Sequence, residues 1–225
     1  KYSVPYTWGT VGIIYNTKYV DEADVTGWEL LWNEKYAGKI LMFDNSRDAF
    51  GIAQFLLGYD INTTDKNELR ACAEKLKEQK PLVQQYVMDQ IYSTMENEEA
   101  WIAVYYAGDC MLMMEENPDL ACVFPKEGTN RFIDCVCIVK NSRNKEAAEK
   151  YINFLCRQDI AEMNRDFTAY STPQQQVYDA LPKEIKNDPI AYPDAEIIQK
   201  SEVYSHLPQE TLELYNSLWN DLKNK

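Results

Sequence analysis

Ile40-Leu41-Met42-Phe43-Asp44-Asn45-Ser46-Arg47-Asp48-Ala49-Phe50 is the stretch that decides the fold class. Four apolar residues read as a strand, and Asn45 or Ser46 then supplies the cap of a helix running towards Tyr59. Asp48 falls in the first turn of that helix, where the macrodipole favours a carboxylate. Outward from this point the same alternation recurs. Gly12 to Tyr15, Trp101 to Tyr106, Ala121 to Phe124 and Phe132 to Val139 read as further strands, and Val4 to Trp8 reads as buried strand material. Leu69, Cys72, Ala73 and Leu76 recur at helical spacing behind a cap at Thr64 or Asp65. A second amphipathic helix follows Asn144, with Ala147, Ala148, Tyr151, Ile152 and Leu155 on its apolar face. A last one carries Leu212, Tyr215, Leu218, Trp219 and Leu222. These stripes are expected to be core surfaces. Strands alternating with helices predict an α/β class with largely parallel pairing.

The 225 residues carry a formal net charge of −13, which disfavours nucleic acid and anionic membranes and favours cationic partners. No stretch approaches the roughly 18 to 20 apolar residues that cross a bilayer, and Lys1 to Trp8 lacks the apolar core of a signal peptide. Six cysteines lie mostly among apolar residues and are expected to be small buried hydrophobes. Cys135 and Cys137 share one strand face and are poorly placed to bond each other. No cysteine or histidine spacing suggests a zinc site, so no metal or cofactor is expected.

Ligands of open α/β sheets bind beyond the carboxyl ends of the strands, which singles out three segments. The first is Asp44 to Phe50, described above. The second is Tyr105-Tyr106-Ala107-Gly108-Asp109, with two adjacent phenols that must face opposite sides of a strand. The third is Arg131-Phe132-Ile133-Asp134-Cys135, where Asp134 interrupts an apolar run and needs solvent, a ligand or an ion pair with Arg131 or Lys126. Catalytic constellations are missing: His206 is the one histidine and lies in a polar loop, and there is no GxSxG, GxxxxGK[ST] or GxGxxG motif. A carboxylate pair of the glycosidase kind, Asp48 with Asp134, has no supporting substrate feature. No enzyme is expected.

An ordered series of segments resembles the spermidine/putrescine-binding proteins of bacterial ABC importers over essentially the whole chain. It includes Val4-Pro5-Tyr6-Thr7-Trp8-Gly9, Trp28-Glu29-Leu30-Leu31-Trp32, Lys35-Tyr36-Ala37-Gly38-Lys39-Ile40, Phe124-Pro125-Lys126-Glu127-Gly128, Tyr170-Ser171-Thr172-Pro173 and Tyr192-Pro193-Asp194-Ala195. The resemblance implies a periplasmic-binding-protein-like fold of type II, with one complete lobe and part of the other. Residues 11–132 and 184–225 would form the complete second lobe, and residues 1–10 and 133–183 the incomplete first. It implies a polyamine ligand, permease subunits as partners, and an extracytoplasmic place, whether periplasmic, lipid-anchored or fused to a permease. The implied ligand-binding set is Asn45, Asp48, Tyr106, Phe132, Asp134, Tyr170 and Tyr204. Carboxylates would hold ammonium groups in charge-assisted hydrogen bonds and rings would pack the methylenes. Asn45 stands where the family has aspartate, Tyr106 and Phe132 where it has tryptophan, and Tyr204 where it has glutamine. The lost charge at Asn45 leads to an expected preference for putrescine over spermidine. The N-terminal part of the first lobe is expected to precede Lys1, so this chain alone is expected to bind polyamine weakly or not at all. The apolar surface of residues 133–183 would then be open to a second copy of the chain, by dimerisation or domain swapping. The alternative reading is a ferric-ion or other small-solute carrier of the same fold, with Tyr105 and Tyr106 as phenolate ligands.

Overall fold

The computed structural model describes residues 2–224. The strands are β1 (Val4–Asn16), β2 (Ile40–Phe43), β3 (Val83–Val87), β4 (Ile102–Tyr106), β5 (Leu120–Val123), β6 (Thr129–Val136) and β7 (Ser201–Glu202). The helices are α1 (Ser46–Leu57), α2 (Lys66–Gln79), α3 (Ile91–Glu96), α4 (Ala107–Glu116), α5 (Lys145–Leu155), α6 (Gln158–Thr168), α7 (Gln175–Ala180), α8 (Lys183–Lys186), α9 (Ala195–Lys200) and α10 (Gln209–Asn224). The α/β class is therefore as expected. The pairing is not largely parallel: β2 runs parallel to β3 and β4, and β6 to β7, but β1 is antiparallel to β4, β5 and β6.

The reason lies in β1, whose 13 residues make one continuous strand where the hydrophobic pattern suggests two pieces. Its first half, Val4 to Thr10, pairs with β6; Val4 to Trp8 is half-buried or exposed rather than buried, and only Gly9 and Thr10 of this half are buried. Its second half, from Val11, pairs with β4, and Ile13 to Asn16 also pair with β5. One strand thus serves two neighbourhoods and changes partner at Thr10/Val11. Thr10 stands opposite Arg131, and Gly9 opposite Phe132.

Strand β3 escapes the pattern because Gln84 and Gln85 are exposed on it. It closes one end of the sheet order β3-β2-β4-β1-β6-β7, where polar residues are usual. The core draws its buried members from β1 past Thr10, β2, β4, α1, α2, α4, the 3-10 turn Trp28–Trp32 and α10. The members of this cluster fall within residues 11–120 and 207–222, while Ala161, Ala169, Val177 and Leu181 are buried apart from it. The cap expected near Thr64 or Asp65 is Asp65, whose carboxylate accepts from the Asn67 and Glu68 amides.

Two expectations about packing need correction. Helix α5 has the expected apolar face yet none of its residues is buried, and Tyr151 is 60% exposed. Ile133, Val139, Phe154, Met163 and Phe167 are exposed as well, so apolar side chains lie open on β6, just past its end, and on α5 and α6. The cysteines also divide. Cys72 and Cys110 are buried and Cys122 half-buried, whereas Cys135, Cys137 and Cys156 are exposed and all six are free thiols.

Candidate functional site

The turn from β2 into α1 sets the first wall of a cavity of about 370 Å3. Asn45 caps α1 by accepting from the amides of Arg47 at 2.9 Å and Asp48 at 3.3 Å. The cap directs Asp48 into the cavity, where its residue is only 8% exposed. The Tyr106 hydroxyl donates to the Asp48 carboxylate at 2.9 Å. Burial pushes the Asp48 carboxyl above its ordinary value, and the Tyr106 and Tyr204 hydroxyls and the Arg47 guanidinium pull it partly back. The Tyr204 hydroxyl has one proton, which it directs to the Arg47 carbonyl at 2.8 Å, so the phenol that donates to Asp48 is Tyr106.

Arg47 also lines the cavity and its charge acts on the neighbouring Asp48 carboxylate. Its guanidinium lies over the rings of Tyr204, at 4.5 Å, and Tyr215, at 5.3 Å. It also donates to the Ile61 carbonyl and to Asn62. Cation–aromatic stacking and these acceptors hold the guanidinium in that place. Tyr204 reaches this place because β7 pairs with the start of β6, Asn130 standing opposite Glu202. Gly51 gives its hydroxyl room, since a Cβ there would lie 2.2 Å from that oxygen.

A row of rings forms the second wall. Tyr106 meets Phe132 at 5.2 Å and Phe132 meets Tyr170 at 6.1 Å, both edge-on. Phe132 lies over Gly9, its partner in the β1–β6 ladder. Such rings offer apolar faces for methylenes and negative faces for cations. Asp134 stands two residues further along β6, exposed, and accepts from the Thr7 hydroxyl at 3.0 Å. Its partner is that hydroxyl rather than Arg131 or Lys126.

All seven residues expected at the site, Asn45, Asp48, Tyr106, Phe132, Asp134, Tyr170 and Tyr204, line this one cavity. Arg47 and Asn130 line it too and escape the sequence reading. For Arg47 the sole signal is its place beside Asp48 in the first helical turn. For Asn130 there is none, because its buried position comes from the β6–β7 pairing.

The adjacent phenols do not act together. Tyr105 is buried against Phe43 and directs its hydroxyl to Asp89 at 3.5 Å, while Tyr106 serves Asp48. Burial, followed by the nearby carboxylates, pushes both phenols up. A second cavity of similar size, about 360 Å3, is lined by Trp8, Tyr178 and Tyr192 among others. It has no carboxylate in its lining, and its one charged side chain, Lys186, lies over the Tyr178 ring.

The model of the bacterial extracellular solute-binding protein family matches residues 1–201. Over 201 residues the chain is 36% identical to the spermidine/putrescine-binding periplasmic protein of Escherichia coli K12, covering 89% of this chain and 58% of that one. It is 28% identical to the putrescine-binding periplasmic protein SpuD of Pseudomonas aeruginosa, covering 100% of this chain and 65% of that one. The solved substrate-binding protein PotD of a spermidine/putrescine ABC transporter from Streptococcus pneumoniae superposes with a TM-score of 0.86 at 34% identity, over 99% of this chain and 69% of that one. A solved structure from Listeria monocytogenes gives a TM-score of 0.92 at 37% identity, over 100% of this chain and 69% of that one. The chain thus spans 58% of the length of its Escherichia coli relative. Its fold is that of the type II periplasmic binding proteins. By sequence match and by structure, the chain belongs to the family of bacterial extracellular solute-binding proteins.

Proposed function

We propose that this chain supplies the polyamine-holding part of an extracytoplasmic solute-binding protein, which delivers its ligand to the permease subunits of an ABC importer. The observation that carries the reading is the Asp48–Asp134 cavity with its row of rings. A polyamine is a chain of ammonium groups separated by methylenes, and the cavity offers both complements. Asp48 and Asp134 would each take an ammonium, Tyr106, Phe132 and Tyr170 would flank the methylenes, and Asn45 and Tyr204 would form polar edges. The names of the two curated relatives given above, one spermidine/putrescine-binding and one putrescine-binding, support the same ligand class. The role is capture without bond-making chemistry.

We read residues 11–132 and 184–225 as one complete lobe and residues 1–10 and 133–183 as part of a second. The confinement of the core to the first set and the partner change of β1 at Thr10/Val11 support that division. Two accessible carboxylates and the uncharged Asn45 favour a diamine such as putrescine. Titration calorimetry of the intact protein that contains this chain, with putrescine, spermidine and butane-1,4-diol, tests the reading. The amines should bind and the diol, equal in length to putrescine but uncharged, should not. Equal binding of the diol, or no amine binding, would sink it.

A further inference from the structure

Asp109 lies in the first turn of α4, three residues beyond Tyr106, and does not line the cavity. Both of its carboxylate oxygens are occupied by phenols from different parts of the chain. The Tyr92 hydroxyl, from α3, donates to one at 2.5 Å, and the Tyr170 hydroxyl donates to the other at 2.6 Å. Charge-assisted bonds of this length are the strong class. Tyr170 is also pressed against α4 from beside: a Cβ on Gly108 would lie 2.6 Å from its ring. Its segment follows Ala169, which ends α6 in the left-handed region at φ 57°. Sequence reasoning selects Tyr106 from the Tyr105–Asp109 segment and passes over Asp109, whose partners at 92 and 170 are remote in sequence.

We infer that Asp109 is a positioning residue for the cavity, which fixes the Tyr170 ring in the wall and ties the segment at residues 169–172 to the start of α4. The inference rests on reading the cavity as an amine site. It differs from that reading in assigning Asp109 no contact with ligand, because Asp109 lies behind Tyr170 and outside the cavity lining.

The test uses Asp109→Asn, Tyr170→Phe and the double variant in the intact protein that contains this chain, with putrescine as the probe. Each single change should weaken binding by about tenfold, the factor for one charge-assisted bond of ~1.4 kcal/mol. The double variant should bind no more weakly than the weaker single. Multiplying losses, or unchanged affinity in Asp109→Asn, would overturn the inference. Carbon-13 labelling at the tyrosine Cζ gives a readout independent of ligand. Asp109→Asn should shift the Tyr170 and Tyr92 signals and leave Tyr106 in place. If wild-type protein bound no amine, the functional reading would fail while the Tyr170 shift still decided the positioning role, and an unmoved Tyr170 signal would overturn it.

Discussion

Asp48→Asn separates the two effects that this buried carboxylate has on the protein. In the ligand-free chain Asp48 is 8% exposed and has one hydroxyl donor, Tyr106, at 2.9 Å. Burial raises its carboxyl, so ionised Asp48 costs stability. The sign follows: the stability contribution is complete below the ordinary value of 3.8 and is lost as pH rises through the elevated folded value. Asparagine keeps the shape and an oxygen for Tyr106 to donate to, and it removes the charge. The ligand-free variant should therefore unfold at a higher temperature than wild type at pH 7, on a scale of about 2–4 °C per kcal/mol for a chain of this size. Amine binding should move the other way. Losing one charge-assisted hydrogen bond of about 1.5–3 kcal/mol weakens putrescine about 10- to 150-fold. Because the amine needs the ionised form, wild-type affinity should fall as pH drops through the elevated Asp48 value, and binding below it should release a proton to the buffer. Thermal unfolding with and without putrescine, and calorimetry in two buffers of different ionisation enthalpy, measure all of this. A variant that unfolds at lower temperature and binds as tightly as wild type would refute the reasoning on both counts.

Asp134→Asn should behave differently, since Asp134 is exposed and held only by Thr7. Its loss should weaken putrescine by roughly up to fivefold at low salt and by less as ionic strength rises, whereas the Asp48 effect should persist. Asn45→Asp keeps the helix cap and adds a charge at a helix N-terminus beside the cavity, so the fold should stay as stable or gain slightly. Competitive calorimetry should then show the ratio of spermidine to putrescine affinity rising several-fold, and an unchanged ratio would count against Asn45 as the selector. Gly51→Ala should cost about 1–3 kcal/mol in denaturant unfolding, because the Tyr204 hydroxyl must leave the Arg47 carbonyl to admit the new methyl group.

How far the sequence reached depends on the range of the interactions. The β2-to-α1 turn was legible because its determinants are local: four apolar residues, an Asn cap and a first-turn carboxylate. The seven cavity residues could be named from the family resemblance, and they do come together. The antiparallel partners of β1 were not legible, because a strand whose halves pair with different neighbours has no single period. Nor was the open face of α5, since periodicity shows which side of a helix is apolar and not whether anything covers it. The Tyr204–Arg47 stack spans 157 residues and leaves no trace in either local pattern.

The two carboxylates of the cavity differ in environment, and on the amine-binding reading proposed above that difference would divide their labour. Asp134 is exposed at the mouth and belongs to the long-range field of a chain of net charge −13, so it acts chiefly on encounter, where attraction of a cation is strong at low salt and screened at high salt. Asp48 is buried behind Tyr106 and beside the Arg47 charge, so it acts chiefly on retention. A carboxylate kept ionised there without a cation is a local destabilisation, and an arriving ammonium relieves it. The free energy of that relief appears as affinity for charged amines and is absent for a neutral ligand of equal shape. On that reading, selectivity for charge over shape would come from the burial of Asp48, and the rings of Tyr106, Phe132 and Tyr170 would set how much methylene chain lies between the two charges.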